Sequence, residues 1–462
     1  MKLMSIAQKL PAPVKQGLKY IYGTIPPSVR YGKVFWDTYN FLQESQWWSR
    51  EKLEEYQMQQ LSKLLQHAYE NVPYYRRVFD ERGLKPKDIQ DFSDLKKLPC
   101  LTKDDFKKHF NGLVAQNINL KYLPMSHTSG TSGKPLQFYT SSSIGQQELA
   151  YIFHQWSRVG YKPEDRRVEI RGAVIEGGNP VAFDPVTRVL RFSPRIDNAE
   201  TTEYYLEKIR QFQTSFIHGY PSAIASFAHI IKKYALQVPF QIKAVLFASE
   251  TVYDWEREIV GEVFNCRVFS HYGMAEQVAL AAECEHSAGY HFLPQYGITE
   301  IDPETKEIIG TSFLNYINPF IRYRTTDIAS GVANHCEHCG REYYPIVQKV
   351  EGRIEDYIIT RKGMVGPASI THPFKDLKTI RDTQVVQKSI DFIILRVVPW
   401  DKKDLAAYEA EVRYLSRSLQ NILENDLRIE VEEVDEIERT NSGKFKWIVS
   451  EVSRGMLEKG LE

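Results

Sequence analysis

The sequence predicts an α/β protein with a large body of several subdomains and a small α+β domain at its C-terminal end. Three observations carry this expectation. From about residue 120 to 350, short apolar runs alternate with amphipathic stretches, as in Ser215-Phe-Ile-His-Gly219, then Ala223 to Tyr234, then Ala244-Val-Leu-Phe-Ala248. In the last hundred residues the order of patterns becomes β-β-α-β. At 462 residues, the chain also exceeds what one hydrophobic core usually serves.

Residues 49–115 read as helical, because Leu53, Tyr56, Leu61, Leu64, Leu65 and Ala68 recur at helical spacing until Pro73 stops the pattern. Near the C-terminal end, Thr383-Gln-Val-Val386 and Phe392-Ile-Ile-Leu-Arg-Val-Val398 read as paired strands. A helix with Leu405, Tyr408, Val412, Leu415, Leu419 and Ile422 on one face follows, and then the strand Arg428-Ile-Glu-Val431. The expected domains are therefore 1–115, an N-terminal arm and the start of the large domain; 116–354, the α/β core; and 355–462, the α+β domain.

Lys+Arg and Asp+Glu balance at 59 each, which argues against a general nucleic-acid binder. No uninterrupted apolar run reaches membrane-spanning length, and Met1-Lys-Leu-Met-Ser-Ile-Ala-Gln-Lys9 is too short and too polar for a signal peptide, so a cytoplasmic enzyme is expected. The stretch from Lys9 to Tyr39 is basic and aromatic. A domain-capping arm is the preferred reading, ahead of peripheral contact with a membrane or a partner protein. A homodimer is a further possibility.

Five cysteines are too few for a disulfide scaffold in a chain of this size. Cys100 and Cys266 sit among apolar residues and read as buried, inert thiols. Cys336-Glu-His-Cys339 forms a knuckle, and Cys284 opens Cys284-Glu-His286-Ser-Ala-Gly-Tyr-His291. Three thiolates and one imidazole would complete a tetrahedral structural zinc site, with His291 as the first choice of fourth ligand and His286 as the second; a thioredoxin-like redox pair is the rival reading, although such a pair should open a helix after a strand.

The segment Ser126-His-Thr-Ser-Gly130-Thr-Ser-Gly133-Lys134-Pro135 concentrates glycines, hydroxyls and a lysine between apolar flanks. Such a loop brings backbone N–H groups, hydroxyls and a cation to phosphate oxygens. It is not a Walker A loop, since only two residues separate its glycines and Pro135 follows the lysine. Four more polar clusters follow in order: Ser270-His-Tyr272-Gly-Met-Ala-Glu276, Ile321-Arg-Tyr323-Arg-Thr-Thr-Asp327, Gly352-Arg353-Ile-Glu355-Asp356, and Glu438-Arg-Thr440-Asn-Ser442-Gly443-Lys444.

Their order and spacing resemble the adenylate-forming ligases, and within them the phenylacetate–CoA ligase family, in particular its capsular-polysaccharide branch. Gln46-Trp-Trp-Ser-Arg50, His67-Ala-Tyr-Glu-Asn-Val-Pro-Tyr-Tyr75 and His218-Gly-Tyr-Pro-Ser222 suggest that branch. The resemblance runs from about residue 40 to 450. It implies a large adenylate-forming domain with a mobile C-terminal lid. The implied activity is ATP-dependent formation of an acyl-adenylate with release of pyrophosphate, then acyl transfer to coenzyme A. The alternatives are transfer to an amine or hydroxyl of a sugar, or a non-catalytic zinc-stabilised binding or scaffold protein.

The resemblance also implies roles. Thr128, Ser129, Gly130, Thr131, Ser132, Gly133 and Lys134 would hold the pyrophosphate moiety of ATP. Tyr272 would stack on adenine, Glu276 bind Mg²⁺, Asp327 and Arg353 hold the ribose, Glu355 serve as hinge and Lys444 drive adenylation, with Thr128 and Glu276 beside it. Ser249, Glu250 and Gly273 join the nucleotide-binding set. The zinc pattern falls on Cys284, His291, Cys336 and Cys339. His218, Tyr220, Ala248, Ser249, Glu250 and Arg171 are candidates for lining the carboxylate pocket. Thr326 stands where the ribose motif usually has glycine, Ala275 where Ser or Thr is common, and Glu355 where Asp is usual. No residue decides between a thiol and an amine as acceptor, or identifies the acid.

Overall fold

The computed structural model describes residues 12–128, 135–172, 180–196, 198–286, 289–333, 336–353, 356–361, 363–374, 377–400, 403–423, 427–440 and 443–452. Among these, nine strands form the central sheet. Its middle is parallel, built from Val189–Phe192, Arg167–Ile170, Phe216–Gly219, Ala244–Phe247 and Arg267–Gly273. The central strands Phe216–Gly219 and Ala244–Phe247 are buried throughout because both faces are covered. The helices Ala199–Phe212, Pro221–Lys233 and Asp254–Phe264 pack on one face around Ile217, Val245 and Phe247. The helix Ser142–Trp156 covers the other face, where Ala150, Phe153 and Trp156 meet Phe216, Leu246 and Phe269. Antiparallel strands close both edges: Val181–Asp184 on one side, then Leu280–Glu283, Tyr290–Phe292 and Ile346–Val347 on the other.

The 49–115 region is helical in part. Ser49 caps the helix Arg50–Asn71 by accepting from the Lys52 N–H, and Pro73 opens the next helix, Pro73–Glu81, at its first position. Beyond Glu81 the segment becomes short turns and the helix Lys103–Lys108. Cys100 and Cys266 are half-buried rather than buried, because each lies where an element meets solvent; burial still raises both thiol pKa values, Cys266 to about 11.

A second sheet, Gly297–Ile301, Glu307–Ser312, Tyr323–Ser330 and Lys349–Arg353, is antiparallel throughout. The C-terminal unit pairs Ile380–Ser389 with Phe392–Pro399, flanked by Arg428–Glu433 and Ile448–Ser450, and the helix Leu405–Ile422 packs Tyr408, Leu415 and Leu419 onto it. Leu405, at the rim of that stripe in the first turn, stays 55 % exposed. The unit rests on the large body through His229 stacked with Trp400, Trp255 against Trp447, and the ion pair Arg195–Glu436 at 2.9 Å. Among the described residues no helix is long and apolar enough to cross a membrane.

Candidate active site

The parallel strands end along one rim, and the chain leaving them supplies Arg171, Tyr220, Ala248-Ser-Glu250 and Tyr272-Gly273. Ligands gather at such carboxyl ends. Glu250 joins the two parts of the molecule: one carboxylate oxygen accepts from the Ser222 N–H at 3.2 Å and the other from the Phe445 N–H at 3.1 Å. Burial raises its pKa, while the Ser222 contact and the charges of Arg439 and Lys444 oppose the rise. Ser249 before it takes φ +73°, a left-handed turn that swings Glu250 toward the rim.

A turn of the C-terminal unit reaches this rim. Gly443 N–H donates to the Thr440 carbonyl at 2.7 Å, Lys444 N–H to Thr440 Oγ1 at 3.1 Å, and the Arg439 guanidinium lies 5.2 Å from the centre of the Phe445 ring. The Lys444 ammonium feels the charges of Glu250, Arg353, Arg171 and Asp327. Burial lowers its pKa, Arg353 and Arg171 lower it further, and Glu250 and Asp327 hold it up.

Opposite, Tyr272 donates its hydroxyl to Asp327 Oδ2 at 2.7 Å, and Arg353 Nε lies 3.4 Å from Asp327 Oδ1. Asp327 and Arg353 face each other on neighbouring strands. Thr326 sits at φ +67°, so the turn that favours glycine is kept by a β-branched residue at a cost in strain. Its N–H donates to Glu307 Oε1 at 2.8 Å, and Arg324 holds that carboxylate from the other side. Glu276 is buried, accepts from Tyr323 OH at 3.3 Å, and has its pKa raised by that burial. Gly273 pairs with Leu280, whose side chain would stand 2.8 Å from a Cβ there.

Thr128 closes the neck of a hairpin: its N–H donates to the Leu136 carbonyl and its Oγ1 accepts from the Leu136 N–H. Leu136 and Phe138 share a core with Tyr323 and Val278, which seats the hairpin beside the Glu276 region. Ser129, Gly130, Thr131, Ser132, Gly133, Lys134 and Glu355 lie outside the described residues.

Beneath the helix Ser142–Trp156 runs a row that sequence reading had only begun to assemble. Glu169 pairs across the sheet with His218, whose Nδ1 is 3.6 Å from Glu169 Oε2 and whose Nε2 accepts from Arg171 Nη1 at 3.4 Å. Trp156 Nε1–H donates to His271 Nδ1 at 3.4 Å, so His271 carries its proton on Nε2. Burial lowers the pKa of His218 to about 4 and that of His271 to about 3, so both rings are neutral donors and acceptors near pH 7. Trp156, Glu169 and His271 were missed. Strand alternation was the available signal, since His271 must face away from its neighbour Tyr272.

Cys284, His291, Cys336 and Cys339 bring their donor atoms within 4.8 Å of one another. The Cys284–Cys336 sulfurs are 3.9 Å apart, and Cys339 Sγ lies 4.0 Å from His291 Nε2. Tetrahedral zinc bonds of about 2.3 Å to sulfur and about 2.0 Å to nitrogen need separations close to these, so the donor set fits that ion. His286 stands outside the set; its backbone N–H donates to Cys284 Sγ at 3.3 Å. The register places Leu280 beside Gly273 and Ala282 beside His271, so Cys284 lies toward the opposite end of that strand from Tyr272. The metal-binding geometry thus lies off the rim, with Cys284 three residues along from Ala281, the partner of Tyr272.

Residues 358–451 match the CapK C-terminal domain. Protein CapK of Staphylococcus aureus is 23 % identical over 445 residues, covering 94 % of this chain and 96 % of that protein. The phenylacetate–coenzyme A ligase of Escherichia coli (strain K12) is 27 % identical over 342 residues, covering 70 % of this chain and 76 % of the ligase. A crystal structure of 2-hydroxyisobutyryl-CoA ligase with an acyl-AMP, in its postadenylation state, superposes with TM-score 0.68 at 18 % identity, covering 90 % and 94 % of the two chains. The same ligase in an open conformation gives 0.54 at 19 % identity over 86 % and 91 %. By sequence the chain is similar to protein CapK and to the phenylacetate–coenzyme A ligases, and it shares the fold of 2-hydroxyisobutyryl-CoA ligase.

Proposed function

We propose that this chain activates a carboxylic acid with ATP, releasing pyrophosphate, and passes the acyl group to coenzyme A. One observation carries the reading: the turn that bears Lys444 reaches the rim of the large sheet, where the Phe445 N–H donates to Glu250 at 3.1 Å and a Cβ on Gly443 would stand 2.0 Å from the Gly172 carbonyl oxygen. A carboxylate attacking an α-phosphate meets like-charge repulsion. An ammonium between the two anions, with Mg²⁺ on the leaving pyrophosphate, offsets that repulsion.

In this reading Asp327 and Arg353 receive the ribose and Tyr272 flanks the base. Glu276 holds Mg²⁺ and the 128–134 loop holds the phosphates. Rotation near Glu355 withdraws Lys444 and admits the acceptor. The Cys284, His291, Cys336 and Cys339 set holds a structural zinc, because four protein ligands leave no open position. Homology to CapK over nearly the whole chain keeps a sugar amine or hydroxyl as the alternative acceptor in capsule biosynthesis.

The row Arg171, His218, His271 and Trp156 supports a finer statement about the acid. A guanidinium and two neutral imidazoles, one of them held in its tautomer by the Trp156 N–H, favour an acyl group bearing hydroxyls or a second anion over an unsubstituted aromatic ring.

ATP–pyrophosphate exchange against a panel of carboxylic acids tests the activity, followed by mass analysis of products with coenzyme A or an amino sugar. Exchange with at least one acid and an acyl-CoA product are expected. No exchange with any acid returns the non-catalytic reading, and an acylated sugar with no thioester replaces the acceptor.

A further inference from the structure

The helix Ala12–Thr24 is held to the body at its C-terminal end. A Cβ on Gly23 would stand 2.2 Å from the Pro185 carbonyl oxygen, so the end of the helix lies directly on the turn after Val181–Asp184. Tyr20 packs on Phe183 with ring centres 6.2 Å apart, and Arg30 Nη1 donates back to the Gly23 carbonyl at 3.1 Å. The arm therefore caps this edge of the large domain.

At about 100° per residue, however, Val14, Leu18 and Ile21 fall on the side opposite Gly23, while Tyr20, between the two sides, is 48 % exposed. They are 47 %, 46 % and 66 % exposed, and Val29 just beyond the helix is 67 % exposed. The four-then-three spacing is that of an amphipathic stripe, but this stripe looks away from the core. Tyr22, at its margin, is 42 % exposed and donates its hydroxyl to the Arg30 carbonyl at 3.1 Å.

Charge indicates what covers the stripe. Lys2, Lys9, Lys15 and Lys19 precede the first acidic residue, Asp37, in a chain that is neutral overall; Arg30 is buried against Gly23 and Lys33 pairs with Asp37 itself. A basic segment with no acid and an outward apolar stripe matches a layer of anionic headgroups over hydrocarbon. We infer that this arm docks the protein on an anionic membrane surface, with Val14, Leu18 and Ile21 entering the apolar boundary and Lys19 meeting the lipid phosphates. The helix has 13 residues, too few to span a bilayer, so the protein would lie on the surface. A protein partner is the less favoured occupant, because charge of a single sign gives no pairing register.

The test is co-sedimentation of the full chain with phosphatidylcholine vesicles, with and without phosphatidylglycerol, at two salt concentrations. Binding to the anionic vesicles is expected to be at least about tenfold stronger, to weaken with salt, and to vanish in Leu18→Asp/Ile21→Asp. Both substituted side chains are exposed, so the melting temperature should hold, and Lys19→Glu should weaken binding in part. Equal binding by wild type and double variant overturns the inference, as does absence of binding to anionic vesicles. Vesicle-independent self-association lost in the double variant also overturns it, in favour of a second copy as occupant.

Discussion

A Cβ on Gly443 would stand 2.0 Å from the carbonyl oxygen of Gly172. The turn carrying Lys444 and the chain leaving the strand Arg167–Ile170 thus meet backbone to backbone, and Gly443 also takes φ +78°. Gly443→Ala forces the turn away from the rim. Pyrophosphate exchange should fall by roughly 10²-fold, as it should in Lys444→Ala, with ATP affinity nearly unchanged in both. Wild-type exchange by Lys444→Ala would remove that residue from the reaction.

Lys444 acts while protonated, and its pKa lies below the ordinary ammonium value through burial and then through Arg353 and Arg171. Exchange should therefore be full below that pKa and decline on the alkaline side. Arg171→Met removes one repelling cation, so the decline should move to higher pH. A pH–rate profile that stays in place, or moves to lower pH, would show that Arg171 does not act on Lys444.

His271→Leu exchanges a neutral N–H donor for an apolar side chain in the row beneath the helix Ser142–Trp156. The ratio of kcat/KM for polar acids over arylacetates should fall by about tenfold or more. An unchanged ratio, measured with the same acid panel, would place His271 outside the acyl pocket.

Burial raises the Glu148 carboxyl pKa to about 7 from 4.5, although Tyr296 OH donates to its Oε2 at 2.7 Å and opposes the rise. The folded chain then keeps a proton that the unfolded chain has released between those two values. This contribution is complete below the lower value, is lost as pH rises to about 7, and is flat above. Glu148→Gln keeps an acceptor for Tyr296 and removes the slope. At pH 8 the variant should be more stable on the order of 2 kcal/mol by denaturant unfolding. Parallel pH dependence in variant and wild type would contradict this.

Metal analysis of the purified chain should find zinc, and Cys336→Ser or chelation should lower the Tm by about 5 °C or more. Because Cys284 lies toward the far end of its strand pair from Tyr272, exchange measured well below the Tm should change little. A metal-free chain with wild-type Tm would leave the four donors without a structural ion.

Much of the fold was legible because it is written in local periodicity. Ala244-Val-Leu-Phe-Ala248 reads as a buried strand and Leu405 to Ile422 as a helix, since pitch and pleat repeat over a few residues. The motif residues were legible for a related reason: a glycine-rich turn or a Cys-x-x-Cys knuckle carries its chemistry within one short loop. Thr326 shows the limit. Its sequence suggested an altered ribose turn, whereas tertiary contacts hold it at φ +67° through the Glu307 carboxylate.

By itself, then, the sequence determined the α/β class, the β-β-α-β end and which side chains were candidates for chemistry. Only the tertiary structure decided that the turn bearing Lys444 meets Glu250 and the Gly172 backbone, that His291 rather than His286 joins the three cysteines, and that Val14, Leu18 and Ile21 are exposed. The physical reason is range. Helix and strand patterns follow from contacts a few residues apart, but Gly443 meets Gly172 across most of the chain, and no local pattern encodes which two surfaces will bury each other.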